Sequence, residues 1–255
     1  MAYERELEFA LAIARRAGEI ALEHQRGGVT AETKSDLSPV TAADRASERL
    51  IAEAIRAEFP EDGLLGEEGS DRQGQSGRRW IIDPIDGTRE FVRGNPAWSI
   101  LLALEEAGDV KVGIAHFPAT DATYRAVRGQ GAFLGDTRLR ASGIRSAAQA
   151  VLCINGFDQV RRFPFAAGLL EWLAEFWAVR SFGGCMDAVM VASGKADAWI
   201  EPKAEPWDIA ALRLIGEEAG AVFFNLDGGC SLYAGNAVLC APAMESEMRR
   251  FLVRG

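Results

Sequence analysis

The chain has 255 residues, 48% of them hydrophobic and 25% charged, with a formal net charge of -9. That length supports one large domain or two intimately packed halves around a sizeable core. An acidic surface of this kind repels nucleic acid and anionic membranes, so neither is expected as a partner. No apolar run approaches the roughly 20 residues of a membrane helix, and the N-terminal MAYERELEF lacks the basic-then-apolar order of a signal peptide. Cys153, Cys185, Cys230 and Cys240 form no C-x-x-C pair, and His24 and His116 are the only histidines. A Cys/His zinc site is therefore not expected, and a reducing, cytoplasmic compartment is.

Leu7, Ala10, Leu11, Ile13, Ala14, Ala17, Ile20 and Ala21 recur at helical spacing and predict a helix over 3–25, ended by Gly27 and Gly28. Residues 29–40 are polar and read as a loop. A second helix is expected over 41–59, stopped by Pro60. Residues 80–82 form a short apolar strand that breaks at Asp83-Pro84, with a short helix from Gly87. Segments 98–105 and 110–117 around Ala107-Gly108 read as a hairpin, as do 124–127 and 132–134 around Gly129-Gln130-Gly131. Beyond about residue 145 the rhythm changes. Strands are expected at 151–154, 198–200, 221–225 and 237–240, and helices at 164–177, 186–192, 208–219 and 243–253. This alternation argues for α/β layers. The expected division is 1–145, with a mostly antiparallel sheet and two long helices, and 146–255, with a mixed sheet, the two forming one compact unit.

The most informative segment is Trp80-Ile81-Ile82-Asp83-Pro84-Ile85-Asp86-Gly87-Thr88. An apolar strand delivers two carboxylates to its end, and a tight turn and helix start follow. Asp83 and Asp86 offer the hard oxygen ligands that Mg²⁺ prefers. The backbone N–H groups of Gly87 and Thr88 are suited to an anion at the helix start. Two aspartates, a glycine and a threonine are more than a capped turn requires. Other candidates have bland explanations. Glu67 and Glu68 in Gly66-Glu67-Glu68-Gly69 read as solvated loop residues. Asp208, after Pro206, reads as a helix N-cap. Thr41-x-x-Asp44 reads as a capping-box variant. His24 and His116 lack partners for base or ligand work, and Arg78-Arg79 and Arg161-Arg162 read as solvated pairs.

Together these segments resemble the inositol monophosphatase family of the fructose-bisphosphatase-like phosphatases. The match runs through Lys34-Ser35-Asp36-Leu37-Ser38-Pro39-Val40-Thr41-Ala42-Ala43-Asp44, Gly66-Glu67-Glu68, the Trp80 to Thr88 segment, Arg180-Ser181-Phe182-Gly183-Gly184-Cys185 and Glu205-Pro206-Trp207-Asp208-Ile209-Ala210. The resemblance implies a layered α-β-α-β-α sandwich and a Mg²⁺-dependent hydrolase of small-molecule phosphate monoesters, with two or three ions per site. It implies that Glu67, Asp83 and the carbonyl of Ile85 bind one ion. Asp83, Asp86 and Asp208 would bind a second, and Glu67 would hold water on a third. Thr88, supported by Asp44, would position the attacking water, and the Gly87 and Thr88 amides would hold the phosphate. Asp208, Gly183, Gly184, Cys185 and Glu201 match substrate-contacting positions. The loop at 34–38 is expected to be mobile and metal-sensitive, and a homodimer is the family's usual assembly. Cations also answer a charge problem, because a phosphate dianion and an acidic protein repel.

A haloacid-dehalogenase-type phosphatase also sets aspartates after an apolar strand, but as D-x-D-x-T; here Pro84 and Ile85 separate Asp83 from Asp86. A non-catalytic regulator on the same scaffold is a further alternative, against which the complete ligand set argues. Within the family, Phe91-Val92-Arg93-Gly94-Asn95-Pro96-Ala97-Trp98 looks more like the histidinol-phosphate branch than the inositol 1-phosphate branch. Glu201 and Asp187 would then attract the ammonium and imidazole of that substrate. One departure is Gly184, where that branch usually has an acidic residue.

Overall fold

The computed structural model describes residues 2–33 and 39–253. The loop expected to be mobile and metal-sensitive, 34–38, lies outside them. Helix α1 (Glu4–Gly27) leads into a small antiparallel pair, β1 (Ala31–Thr33) and β2 (Pro39–Thr41), and then α2 (Ala42–Glu58). Strands β3 (Gly63–Gly66) and β4 (Arg78–Asp86) precede the short helix α3 (Thr88–Val92). There follow β5 (Ser99–Glu106), β6 (Asp109–Phe117), β7 (Ala122–Val127), β8 (Gly131–Leu134) and β9 (Thr137–Arg138). These strands make a seven-stranded sheet in the order β3-β4-β5-β6-β7-β8-β9. All its pairings are antiparallel except β3 with β4.

The remainder comprises β10 (Val151–Ile154), α4 (Phe157–Val160), α5 (Leu169–Leu173), β11 (Ala178–Arg180), α6 (Gly184–Ala192), β12 (Ala198–Glu201), α7 (Pro206–Glu218), β13 (Val222–Phe224), β14 (Ala237–Cys240) and α8 (Glu245–Leu252). Its sheet is mixed, in the order β11-β10-β12-β14-β13. Strand β10 runs parallel to β11 and β12, whereas β14 runs antiparallel to β12 and β13.

Strand alternation builds the layers. Successive side chains on a strand point to opposite faces. Trp80, Ile82, Ile100, Leu102, Leu104 and Ile114 pack against α1 and α2 through Ala10, Ala17, Ile51 and Ile55. Ile81, Leu101, Ala103 and Ala115 face the other way, toward α6 and α7. On the second sheet Cys153, Trp199 and Leu239 close that central helical layer from beyond. Leu152, Ile154, Ile200 and Val238 face outward under α5 and α8, with Trp172, Met248 and Leu252. The result is an α-β-α-β-α sandwich in which α6 and α7 are buried between two sheets.

Several local expectations are corrected. Residues 164–177 do not form one helix: a 3-10 turn at Pro164–Gly168 leads into α5, and the chain then enters β11. Pro164 lies in the first turn of that 3-10 segment, and Ala178–Arg180 supplies an edge strand beside β10. The 29–40 region is not wholly a loop, because β1 pairs with β2. Gly66 ends a strand that two glycines and a four-residue length hide from pattern reading. Arg78 and Arg79 are held in ion pairs rather than free in solvent. Arg78 bridges Glu6 and Asp62 at 2.8 and 2.7 Å, and Arg79 pairs with Glu105 at 2.6 Å.

Candidate active site

The end of β4 explains how two aspartates three residues apart reach one place. In a regular strand, positions 83 and 86 would point to opposite faces. Here Asp83 pairs with Leu101 but Asp86 with Ser99, so β4 carries one residue more than β5 over this stretch. This bulge reverses the alternation. Pro84 sits inside it, where a missing N–H interrupts no regular ladder. The Ile85 N–H donates to Asp83 Oδ1 at 3.0 Å, tightening the bend. Gly87, with φ of 88°, then turns the chain into α3 in a conformation that side chains with a Cβ disfavour.

Asp83 lies on the face of the first sheet that receives α7. Helix α7 begins with Pro206, and Asp208 occupies its third position. Asp208 is therefore not the N-cap. Glu205 holds that position, and its N–H donates to Asp208 Oδ2 at 2.7 Å. One Asp208 oxygen fastens the helix start, and the carboxylate reaches the cluster. Asp83, Asp86 and Asp208 each present an oxygen, all within 4.8 Å of one another. Glu67, just beyond β3, comes within hydrogen-bonding reach of Asp83, and its N–H donates to Ile82 O at 3.2 Å.

The electrostatics of this cluster are those of a cation site. Burial pushes Asp83 well above the ordinary carboxylate range, and the charges of Glu67, Asp86 and Asp208 push it further. Burial likewise raises Asp208, aided by Asp86 and Glu67. Asp86 is raised to about 6 by burial, against the Cys185 N–H that donates to its Oδ2 at 3.1 Å. Buried carboxylates held this close are self-repelling when ionised, and oxygen-rich clusters of this spacing suit hard divalent cations. The donor set thus fits the metal expected from the sequence.

Asp44 has two attachments. Its Oδ2 accepts from the Thr41 N–H at 2.8 Å and from the Thr41 hydroxyl at 2.6 Å, closing the capping box of α2. Its Oδ1 lies 3.3 Å from the Thr88 hydroxyl, which also stands 3.2 Å from Ile85 O. The cap and the link to Thr88 coexist because a carboxylate has two oxygens.

The cluster opens into a cleft of about 760 Å³. Gly87 and Thr88 line one side, and Gly183, Gly184, Cys185 and Glu201 line another. Sequence reasoning missed Glu90, Asn155, Asp158, Arg162 and Trp207 on its walls. Glu90 was accessible to it, in the first turn of the helix that follows the aspartate motif. Trp207 precedes Asp208 on α7 within a segment already singled out, and Arg162, read as half of a solvated pair, reaches the cleft wall; Asn155 and Asp158, after β10 and in α4, carry no motif. Burial raises Glu201, and the nearby Asp208 and Asp86 charges add to this. Asp187 does not face the cleft. It is fully buried, accepting the Asn155 side-chain amide at 2.9 Å and the Phe182 N–H at 3.1 Å. Its charge holds the 182–183 loop instead of meeting a ligand. His116 is buried against Thr123, with Nδ1 2.9 Å from the hydroxyl, on β6.

Comparison with known proteins shows the family and the fold. A sequence model of the inositol monophosphatase family matches residues 2–253. A histidinol-phosphatase of Chlorobaculum parvum is 37% identical over 92% of this chain and 92% of its own. The Nus factor SuhB of Pasteurella multocida is 35% identical, over 95% of this chain and 93% of its own. Among solved structures, an IMPase of Thermotoga maritima superposes with a TM-score of 0.89 at 31% identity, covering 97% of this chain and 96% of that one. Among the described residues, no helix is long and apolar enough to cross a membrane.

Proposed function

This chain belongs to the inositol monophosphatase family and is a phosphatase acting on phosphoric monoesters, and we propose that its substrate is histidinol phosphate and its cofactor Mg²⁺, two or three ions per site. Asp83, Asp86, Asp208, Glu67 and the Ile85 carbonyl would hold the ions. When bound, magnesium supplies charge neutralisation of the phosphate and acidification of a water molecule. The protein's own part is orientation. Thr88, braced by Asp44, accepts a hydrogen bond from the attacking water, and the Gly87 and Thr88 amides receive the phosphate oxygens. Hydrolysis by water directed in this way leaves no phosphorylated side chain.

One observation carries the choice of substrate. Beyond the carboxylates assigned to metal, Glu90, Asp158, Glu201 and Glu205 line the same cleft, together with Arg89, Arg162 and Lys203. The Glu201 carboxylate, set against Gly184 of the substrate loop, is a partner that an ammonium or a protonated imidazole would take and that a neutral polyol does not require. The histidinol-phosphatase relatives support the same reading, three of them at 36–37% identity. The test is kcat/KM for histidinol phosphate and for inositol 1-phosphate under matched Mg²⁺ and salt. We expect histidinol phosphate to be preferred. A preference of about tenfold for inositol 1-phosphate, roughly 1.4 kcal/mol in transition-state binding, would reverse the assignment and leave the metal chemistry standing.

A further inference from the structure

Glu48 lies on α2, one turn beyond Asp44, and is 2% exposed. Residues four apart on a helix share a face, so the face that carries Asp44 to Thr88 also carries Glu48 inward. The Glu48 carboxylate does not enter the aspartate cluster. One oxygen accepts the Glu68 N–H at 2.7 Å and the other accepts the Ser70 N–H at 2.9 Å. The turn after β3 therefore wraps around this carboxylate. Gly66 makes the wrapping possible: a Cβ there would stand 2.7 Å from Glu48 Cδ. Glu67 sits between the two anchorages. Its own N–H is bound to Ile82 on β4, and the next amide is bound to Glu48 on α2.

We propose that Glu48 is the positioning residue for Glu67, fixing the backbone on which that carboxylate approaches Asp83. This rests on the assignment of Glu67 as a metal ligand. Charged acceptors bind backbone amides more strongly than neutral ones do; the bond at the Glu68 amide fixes the peptide that joins Glu67 to Glu68, and the bond at Ser70 holds the turn that follows. Helix α2 thus serves the site twice: through Asp44 at the nucleophile-orienting hydroxyl, and through Glu48 at the metal-ligating loop. Groups of this kind behind metal ligands affect metal affinity strongly.

The experiment compares Glu48→Gln, Glu48→Asp and Glu67→Gln, with Mg²⁺ titrations of turnover on both histidinol phosphate and p-nitrophenyl phosphate, and amide hydrogen exchange on the metal-free protein. Glutamine presents an NH₂ group to one of the two amides and cannot accept from it. Glu48→Gln is expected to raise the half-saturating Mg²⁺ concentration about tenfold and to lower kcat, with substrate KM little changed. In the metal-free protein the Glu68 and Ser70 amides should exchange faster while the α2 amides keep their protection. Glu48→Asp keeps both acceptor oxygens and should recover part of the loss; it carries the test if the glutamine variant does not fold. A folded Glu48 variant with wild-type Mg²⁺ dependence and wild-type exchange at Glu68 and Ser70 overturns the proposal. If Glu67→Gln instead leaves the Mg²⁺ dependence unchanged, it is the ligand assignment that fails, whatever the Glu48 variants do.

Discussion

The Thr88 hydroxyl stands 3.3 Å from Asp44 Oδ1, while Asp44 Oδ2 closes the N-terminus of α2 through Thr41. One carboxylate therefore links the start of a long helix to the residue that follows the aspartate motif. The two attachments separate by mutation. Thr88→Ala should lower kcat more than it raises KM, because it removes an orienting contact and leaves the cap intact. Thr41→Ala removes the cap partner and should cost about 1 kcal/mol of stability with turnover largely kept. Chemical denaturation beside steady-state kinetics checks both. The assignment of Thr88 fails if its alanine variant loses stability and keeps kcat.

Asp83 is the most buried member of the cluster, at 1% exposure, and stands within 4.8 Å of both Asp86 and Asp208. Asp83→Asn keeps the side-chain oxygen that Ile85 N–H requires and removes the charge. Activity should fall by several orders of magnitude, while far-UV circular dichroism stays as in the wild type. Because the lost charge was repelling its neighbours, the metal-free variant should melt no lower than metal-free wild type. Near wild-type turnover at limiting Mg²⁺ would contradict the bridging role.

The raised carboxylates make stability depend on pH when metal is removed. Asp86 is held at about 6 in the folded protein, against an ordinary value of 3.8. Between roughly pH 4 and 6 the fold keeps a proton that the unfolded chain has released, so this contribution is complete at low pH and lost as pH rises through 6. Asp83, Asp208 and Glu201 are raised too and act in the same sense. His116, lowered to about 4 by burial, opposes them over the same range, but the carboxylates outnumber it. Protein treated with EDTA should therefore melt at a higher temperature at pH 5 than at pH 7. Added Mg²⁺ should restore stability at pH 7 by binding the folded form. A metal-free melting temperature that climbs from pH 5 to pH 7 would run against this account.

Gly184 and Glu201 are coupled by space. A Cβ at Gly184 would lie 3.3 Å from Glu201 Oε2, and one at Gly156 would lie 3.4 Å from Oε1. The absence of a side chain at Gly184 leaves room for the Glu201 carboxylate. Glu201→Gln should raise KM for histidinol phosphate several-fold and change little with p-nitrophenyl phosphate, which has no cation to lose. Gly184→Asp should also raise KM for histidinol phosphate, because a second carboxylate would crowd and repel Glu201. Equal effects of Glu201→Gln on the two substrates would remove Glu201 from cation recognition.

The residue pattern alone determined the two long helices, the apolar strands 151–154 and 237–240, and the aspartate motif at the end of β4. Each is a local matter: apolar periodicity sets the face, and glycine, proline and capping residues set the ends. Thr41 and Asp44 were legible as a capping box for the same reason. Tertiary structure decided what no window of sequence contains. The bulge that turns Asp83 and Asp86 to one side exists only in pairing with β5. Asp208 could be read as an N-cap until α7 was seen packed on the first sheet, with Glu205 in the capping position. Glu48 carries no motif, and its meaning comes from a turn 20 residues away that closes on it. Asp187, close to the substrate loop in sequence, was turned inward by the helix that bears it. A side chain's neighbours along the chain fix its conformation and face, but its partners across the molecule are fixed by which complementary surfaces pack together, and that is decided only when the sheets and helices assemble.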